Sequence, residues 1–155
     1  MFSFARRKPS VDLCPYVRRI CDLTTPNLPN VDSSGRTENR SNRTIPTLLC
    51  PWENRGPAID ECTSCLTSDL SDRGVRLVLT QPLYAQQVVL GYWIDEDDME
   101  EPWFFLADVR RCQAVGGGFW NLGVELTDLA HVEFREEVAP LREFATQLLP
   151  PLVRS

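Results

Sequence analysis

The sequence predicts an all-β domain followed by an amphipathic helix, and three observations carry that prediction. The run "FWNLGVEL" at residues 119–126 sets Trp120, Leu122, Val124 and Leu126 against Phe119, Asn121, Gly123 and Glu125, the two-residue period of a half-buried strand. Six short β-rich runs lie between residues 44 and 126, separated by Gly, Pro and Asp turns with no helical pattern between them. That arrangement argues an antiparallel sandwich or a small barrel. Beyond the last run the apolar period lengthens to that of a helix.

Residues 11–23 place Val11, Leu13, Tyr16, Val17, Ile20, Cys21 and Leu23 close to one helical face, with Asp12 as the N-cap. Such a short helix is marginal unless it packs on something. Residues 24–43, "TTPNLPNVDSSGRTENRSNR", are nearly devoid of apolar side chains and read as a linker or mobile arm. The β-rich runs then follow at residues 44–50, 58–68, 75–80, 86–94, 103–112 and 119–126. Pro46 pushes the first towards a strand start or a sheet edge. In the third, Val75, Leu77 and Leu79 share a face. The acidic run "DEDDMEE" (95–101) reads as a solvated hairpin loop, because its carboxylates lack the Gly-punctuated spacing of a calcium loop. Residues 134–149 form the C-terminal helix, with Val138, Leu141, Phe144, Ala145 and Leu148 on one face and Pro140 starting or kinking it.

Bulk properties narrow the function. The chain of 155 residues is long enough to bury a core without staples. Its net charge of −6 argues against a nucleic-acid polymer or an anionic membrane as partner. The charge is uneven. Residues 1–56 hold nine Arg/Lys against five Asp/Glu, and the remainder seven against seventeen, giving +4 and −10. A basic front on an acidic body suits a small anionic ligand. Arg6, Arg7 and Lys8 interrupt any apolar segment near the N-terminus, so a secretory signal is not expected. No apolar run reaches the length of a membrane span, and a cytoplasmic protein with reduced thiols is expected.

The stretch "DLSDRG" at residues 69–74 carries the most specific chemistry. In β structure Asp69 and Ser71 point to one face. A carboxylate accepts two parallel N–H bonds, which is what the N1–H and N2–H₂ edge of guanine offers. A neighbouring hydroxyl adds a bond to base or phosphate. Gly74 either admits a planar ring close to the backbone or supplies positive φ for a turn. A plain Ser/Asp turn closed by Gly explains the same residues. Upstream, "RTENRSNR" presents Arg36, Arg40 and Arg43 just ahead of the first strand. Arginine forks bond phosphate oxygens in pairs and also bind or stack on guanine.

An arginine arm, then "SDLSDRGVRLVL", then "VRRCQAVGGGFWNLGVEL" makes the chain resemble the PilZ family, over roughly residues 36–130. These are small β-barrel domains that bind the bacterial second messenger cyclic di-GMP. The resemblance implies a six-stranded antiparallel β-barrel with a C-terminal α-helix. It also implies guanine binding by Asp69, Ser71 and Gly74, and an arm that closes over the ligand. The family's arm has two arginines four apart, the second commonly two residues before a proline. Counting back from Pro46 puts Arg40 first and Thr44 second, with Arg43 one residue off. Arg36 and Arg40 keep the spacing but lie farther from the strand. The pair is therefore Arg40 with Arg43, or Arg36 with Arg40.

Three functional readings follow. The first is a non-enzymatic cyclic di-GMP sensor, with no other cofactor and no metal, passing its signal to a protein partner. The second is a degenerate PilZ-like adaptor that binds only protein. The third is a metal or redox module on Cys62-Thr-Ser-Cys65, which lacks both a second cysteine pair of matching spacing and a βαβ setting. Cys50 and Cys112 read as small core hydrophobes. One histidine, His131, with no evident nucleophile beside it leaves no hydrolytic triad. Trp52, Trp93, Trp103 and Trp120 read as barrel core, with one of them near the mouth a candidate to pack beside guanine. The expected organisation is a short helix and linker (1–35), the β-barrel (36–130), and a helix with tail (131–155).

Overall fold

A computed structural model describes residues 13–22, 41–71, 73–96 and 99–153. Within these, a nine-residue helix α1 (Cys14–Asp22) precedes β1 (Ser41–Glu53), β2 (Gly56–Pro57), β3 (Thr63–Leu70), β4 (Gly74–Leu79), β5 (Gln87–Glu96), β6 (Met99–Gly116) and β7 (Phe119–Leu129). Helices α2 (Ala130–Glu133) and α3 (Arg135–Leu148) and a short β8 (Leu152–Val153) complete the chain.

The strands run in the order β2-β1-β3-β4-β7-β6-β5-β8, and β1 pairs with β5 as well. That last pairing, Leu48↔Gly91 to Pro51↔Val88, closes β1, β3, β4, β7, β6 and β5 into a six-stranded antiparallel barrel. Closure leaves none of these six strands as a free edge over its whole length. A 3₁₀ turn at Ile59–Glu61 interrupts the predicted 58–68 strand, which begins instead at Thr63. Both ends of the acidic stretch are drawn into a hairpin, with Glu96 paired to Met99.

Two cores result from the alternation of side chains. Val75, Leu77 and Leu79 of β4 and Leu122, Val124 and Leu126 of β7 point inward, as the sequence period requires. Leu13, just ahead of α1, and Val17 and Ile20 within it join that inner core, which is why nine residues suffice for a helix. Burial of three such side chains stabilises by about 1.5–3 kcal/mol each. Inside the barrel, the Thr47 and Thr67 hydroxyls lie 2.7 Å apart and Thr67 lies 3.4 Å from the Tyr92 hydroxyl.

A second core lies outside the barrel. Leu48, Cys50, Trp52, Val89, Phe104 and Leu106 face outward and are covered by Ala130, Val138, Leu141 and Ala145 of the C-terminal helices. Helix α3 runs through Pro140 rather than starting at it. Leu148, predicted on the buried face, is 46% exposed because the helix ends there and Leu149 turns inward instead. His131 fixes α2 to the barrel, its Nδ1 accepting from the Phe104 N–H at 3.0 Å, with the ring stacked on Trp103. No described helix is long and apolar enough to cross a membrane.

Candidate functional site

The opposite part of the barrel surface carries an open groove of about 410 Å³, lined by residues of the strands and the β3–β4 turn alone. Asp69, Ser71 and Gly74 all line it, together with Arg76, Arg110 and Arg111. The three predicted residues of the 69–74 stretch are therefore brought together on one outward surface. Arg36 and Arg40 lie outside the described residues. Arg43 falls on β1, and its side chain is likewise outside what is described.

Asp69 faces the groove because of a bulge. Thr67 points into the barrel, so strict alternation would send Asp69 inward as well. The β3–β4 register instead shifts between Thr67↔Leu77 and Asp69↔Arg76. The extra residue, Ser68, donates its hydroxyl to the Arg76 carbonyl at 3.3 Å. Asp69 is thereby turned outward and Leu70 inward, where it is 2% exposed. Bulges of this kind re-aim a side chain at a local loss of pairing.

Ser71 and Gly74 close the turn between β3 and β4. The Ser71 N–H donates to the Gly74 carbonyl at 2.8 Å, the Ser71 hydroxyl donates to the same oxygen at 3.1 Å, and the Gly74 N–H donates to Ser71 Oγ at 3.0 Å. The hydroxyl keeps one lone pair for a further donor. Gly74 does not adopt positive φ, which is confined among the described glycines to Gly116, Gly117 and Gly118 of the β6–β7 turn. Its value is space: a Cβ there would lie 3.2 Å from Ser71 Oγ.

A second bulge works on the far wall. The β6–β7 register shifts between Val109↔Val124 and Arg111↔Gly123. Val109 and Cys112 pack on the inner core, so Arg110 and Arg111 are both turned outward. The pairings Asp69↔Arg76, Arg76↔Gly123 and Arg111↔Gly123 then form one lateral row across four strands. Gly123 is its floor, since a Cβ there would meet nothing nearer than Arg111 Cβ at 3.9 Å. Arg110 is held at the rim by Glu125 at 3.0 Å and Asp108 at 3.9 Å.

Sequence reasoning missed Arg76, Arg110, Arg111, Gln113, Asn121 and Gly123. The first three belong to strands whose register no residue type reveals. Two consecutive arginines inside a β-rich run did signal a break in alternation, which is where the bulge lies.

The two cysteines of the third reading are split between the two cores. Cys62 packs with the outer core and Cys65 against the inner one. The Cys50 thiol donates to the Ala58 carbonyl at 3.2 Å and is pushed up by the neighbouring Cys62 and by burial. Burial pushes Cys65 up to about 12. Cys62 is shifted the other way, lowered by its contact with the Cys50 thiol. Among the described residues no three His, Cys, Asp or Glu side chains are grouped as metal ligands. Cys112 packs partly buried against the inner core. Trp52 and Trp93 lie in the outer core and Trp103 and Trp120 against the inner one, so none lines the groove.

No family model matches the chain, and no curated protein sequence matches it. Among solved structures, the chain is similar to the Bacillus subtilis inhibitor of motility (MotI/DgrA), at 16% identity and a TM-score of 0.46. The match covers 78% of this chain and 56% of that one.

Proposed function

We propose that the chain is a cytoplasmic cyclic di-GMP sensor of the PilZ type, acting by binding rather than catalysis. One observation carries the reading: Asp69, Ser71 and Gly74, the residues matched to the family's guanine-binding motif, line a single outward groove together with three arginines. In this reading the Asp69 carboxylate accepts the guanine N1–H and N2–H. Ser71 accepts with its remaining lone pair. The glycine at 74 keeps the turn low enough for a planar ring. An arginine arm drawn from Arg40 with Arg43, or Arg36 with Arg40, closes over the phosphates. The ordered arm is the signal presented to a protein partner.

A second reading, an adaptor that binds only protein, has a specific observation in its favour. The Ser71 hydroxyl is already engaged with Gly74, and Asp69 already faces Arg76 at 3.4 Å. Titrating the full chain with cyclic di-GMP by calorimetry separates the two. Saturable binding that Asp69→Ala weakens is expected of a sensor. No heat above dilution in the wild type, with the fold verified, leaves the adaptor.

A further inference from the structure

The three groove arginines differ in how they are neutralised. Arg76 faces Asp69, and Arg110 lies between Glu125 and Asp108. Arg111 lines the groove and has no carboxylate partner among the described residues. Two residues along the strands, Gln113 and Asn121 stand directly opposite each other, and both line the groove. Arg111, paired with Gly123, and the Gln113–Asn121 pair beside it therefore bring a guanidinium and two amides to one part of the groove next to the bare backbone of Gly123.

We propose that Arg111, with Gln113 and Asn121, forms a phosphate-binding subsite on the barrel wall itself, separate from the N-terminal arm. A guanidinium fork bonds two phosphate oxygens at once, and amide N–H groups add donors without charge. The bulge before Arg111 is the device that makes the subsite, because without it Arg111 would point into the barrel. Arg111 and Asp69 sit three strand spacings apart on one lateral row, roughly 14 Å along the sheet at about 4.8 Å per spacing. A nucleotide whose base meets Asp69 can thus lay a phosphate across Gly123. The subsite's link to a guanine base rests on the proposed function; its affinity for phosphate does not.

The test uses ¹⁵N–¹H spectra of the full chain with three probes: pyrophosphate, guanosine and cyclic di-GMP. Pyrophosphate should shift the amides of Arg111, Gln113, Asn121 and Gly123, and guanosine should leave them in place. Arg111→Gln, which keeps most of the stem and removes the charge at an exposed position, should weaken the pyrophosphate response at least about tenfold, the loss of one charge-assisted hydrogen-bonding group. A pyrophosphate response that is absent, or that survives Arg111→Gln and Arg111→Ala unaltered, overturns the subsite. If pyrophosphate behaves as expected while guanosine and cyclic di-GMP leave Asp69, Ser71 and Gly74 unmoved, the subsite stands and the guanine reading falls.

Discussion

Asp69 and Arg76 are direct cross-strand partners, and the guanidinium Nη1 lies 3.4 Å from the carboxylate Oδ2. A guanidinium presents N–H donors much as the guanine edge does, so under the proposed function Arg76 occupies the carboxylate that a base would take. The exposure of the two side chains, 41% for Arg76 and 17% for Asp69, sets the strength of this contact. Partly exposed ion pairs contribute about 0–1 kcal/mol. A base that offers two bonds to the same carboxylate can therefore compete. The coupling between Asp69→Ala and Arg76→Ala in a double-mutant cycle of urea unfolding should be below about 1 kcal/mol. A larger coupling would make the pair structural and remove Asp69 as a free acceptor.

The arm arginines should separate in a defined order. Arg40 belongs to both candidate pairs, so Arg40→Ala should weaken cyclic di-GMP binding most. Arg43 lies nearest the barrel, on β1, so less chain must be ordered to place it, at roughly 1–2 kcal/mol of backbone entropy per ordered residue. Arg43→Ala should accordingly come second and Arg36→Ala should be close to wild type. The reverse order of Arg43 and Arg36, measured by calorimetry, would assign the pair to Arg36 and Arg40.

Two glycines make opposite demands. A Cβ on Gly91 would lie 2.8 Å from Phe104 Cε1 and 3.1 Å from Leu48 Cβ, in the outer core beneath α3. Gly91→Ala should lower stability by about 1–3 kcal/mol through overpacking, read as a lower midpoint in urea. Gly123→Ala meets only Arg111 Cβ at 3.9 Å and should be neutral or slightly stabilising, since glycine in a strand costs about 0.5–1 kcal/mol. It raises the groove floor, so cyclic di-GMP affinity should fall while stability holds. Loss of stability in Gly123→Ala would contradict the open-floor geometry.

Tyr92 gives the barrel an alkaline limit. Burial pushes its hydroxyl up to about 12, against about 10 in the unfolded chain. A raised value means the folded state keeps the proton longer. This contribution is fully present below pH 10 and is lost as the pH rises towards 12. Burial raises Cys65 in the same direction, so both groups act in the alkaline range. Tyr92→Phe should remove about 3 kcal/mol or less of that alkaline decline, at the neutral-pH cost of the Thr67 contact. Urea midpoints of wild type and Tyr92→Phe at pH 8, 10 and 11 check this; parallel declines would exclude Tyr92 as the group responsible.

How far the molecule could be read from its residues depends on where a rule is local. The β4 and β7 alternation appears as Val75, Leu77, Leu79 and Leu122, Val124, Leu126 on the inner face, because period two needs no knowledge of neighbours. Helix α1 was legible for the same reason in period 3.6. The grouping of Asp69, Ser71 and Gly74 was also legible, because all three come from one hexapeptide. The arginine wall was not. Arg76 and Arg111 meet across Gly123 only through the β4–β7 and β6–β7 registers, and Arg111 faces outward only because of a bulge. The 3₁₀ turn at Ile59–Glu61 and the exposure of Leu148 at the end of α3 depend on where the barrel and outer core need chain to stop, which no short window encodes.

The most direct measurement is a calorimetric titration of the full chain with cyclic di-GMP, run on wild type and on Asp69→Ala at matched ionic strength. A sensor should give a saturable isotherm in the wild type. Asp69→Ala should lose about 2–3 kcal/mol, roughly 30- to 150-fold in affinity, while its urea midpoint shows no more than the small change expected of a partly exposed pair. A wild type that releases no heat, or an Asp69→Ala variant that binds as tightly as the wild type, would contradict the assignment of the groove to cyclic di-GMP.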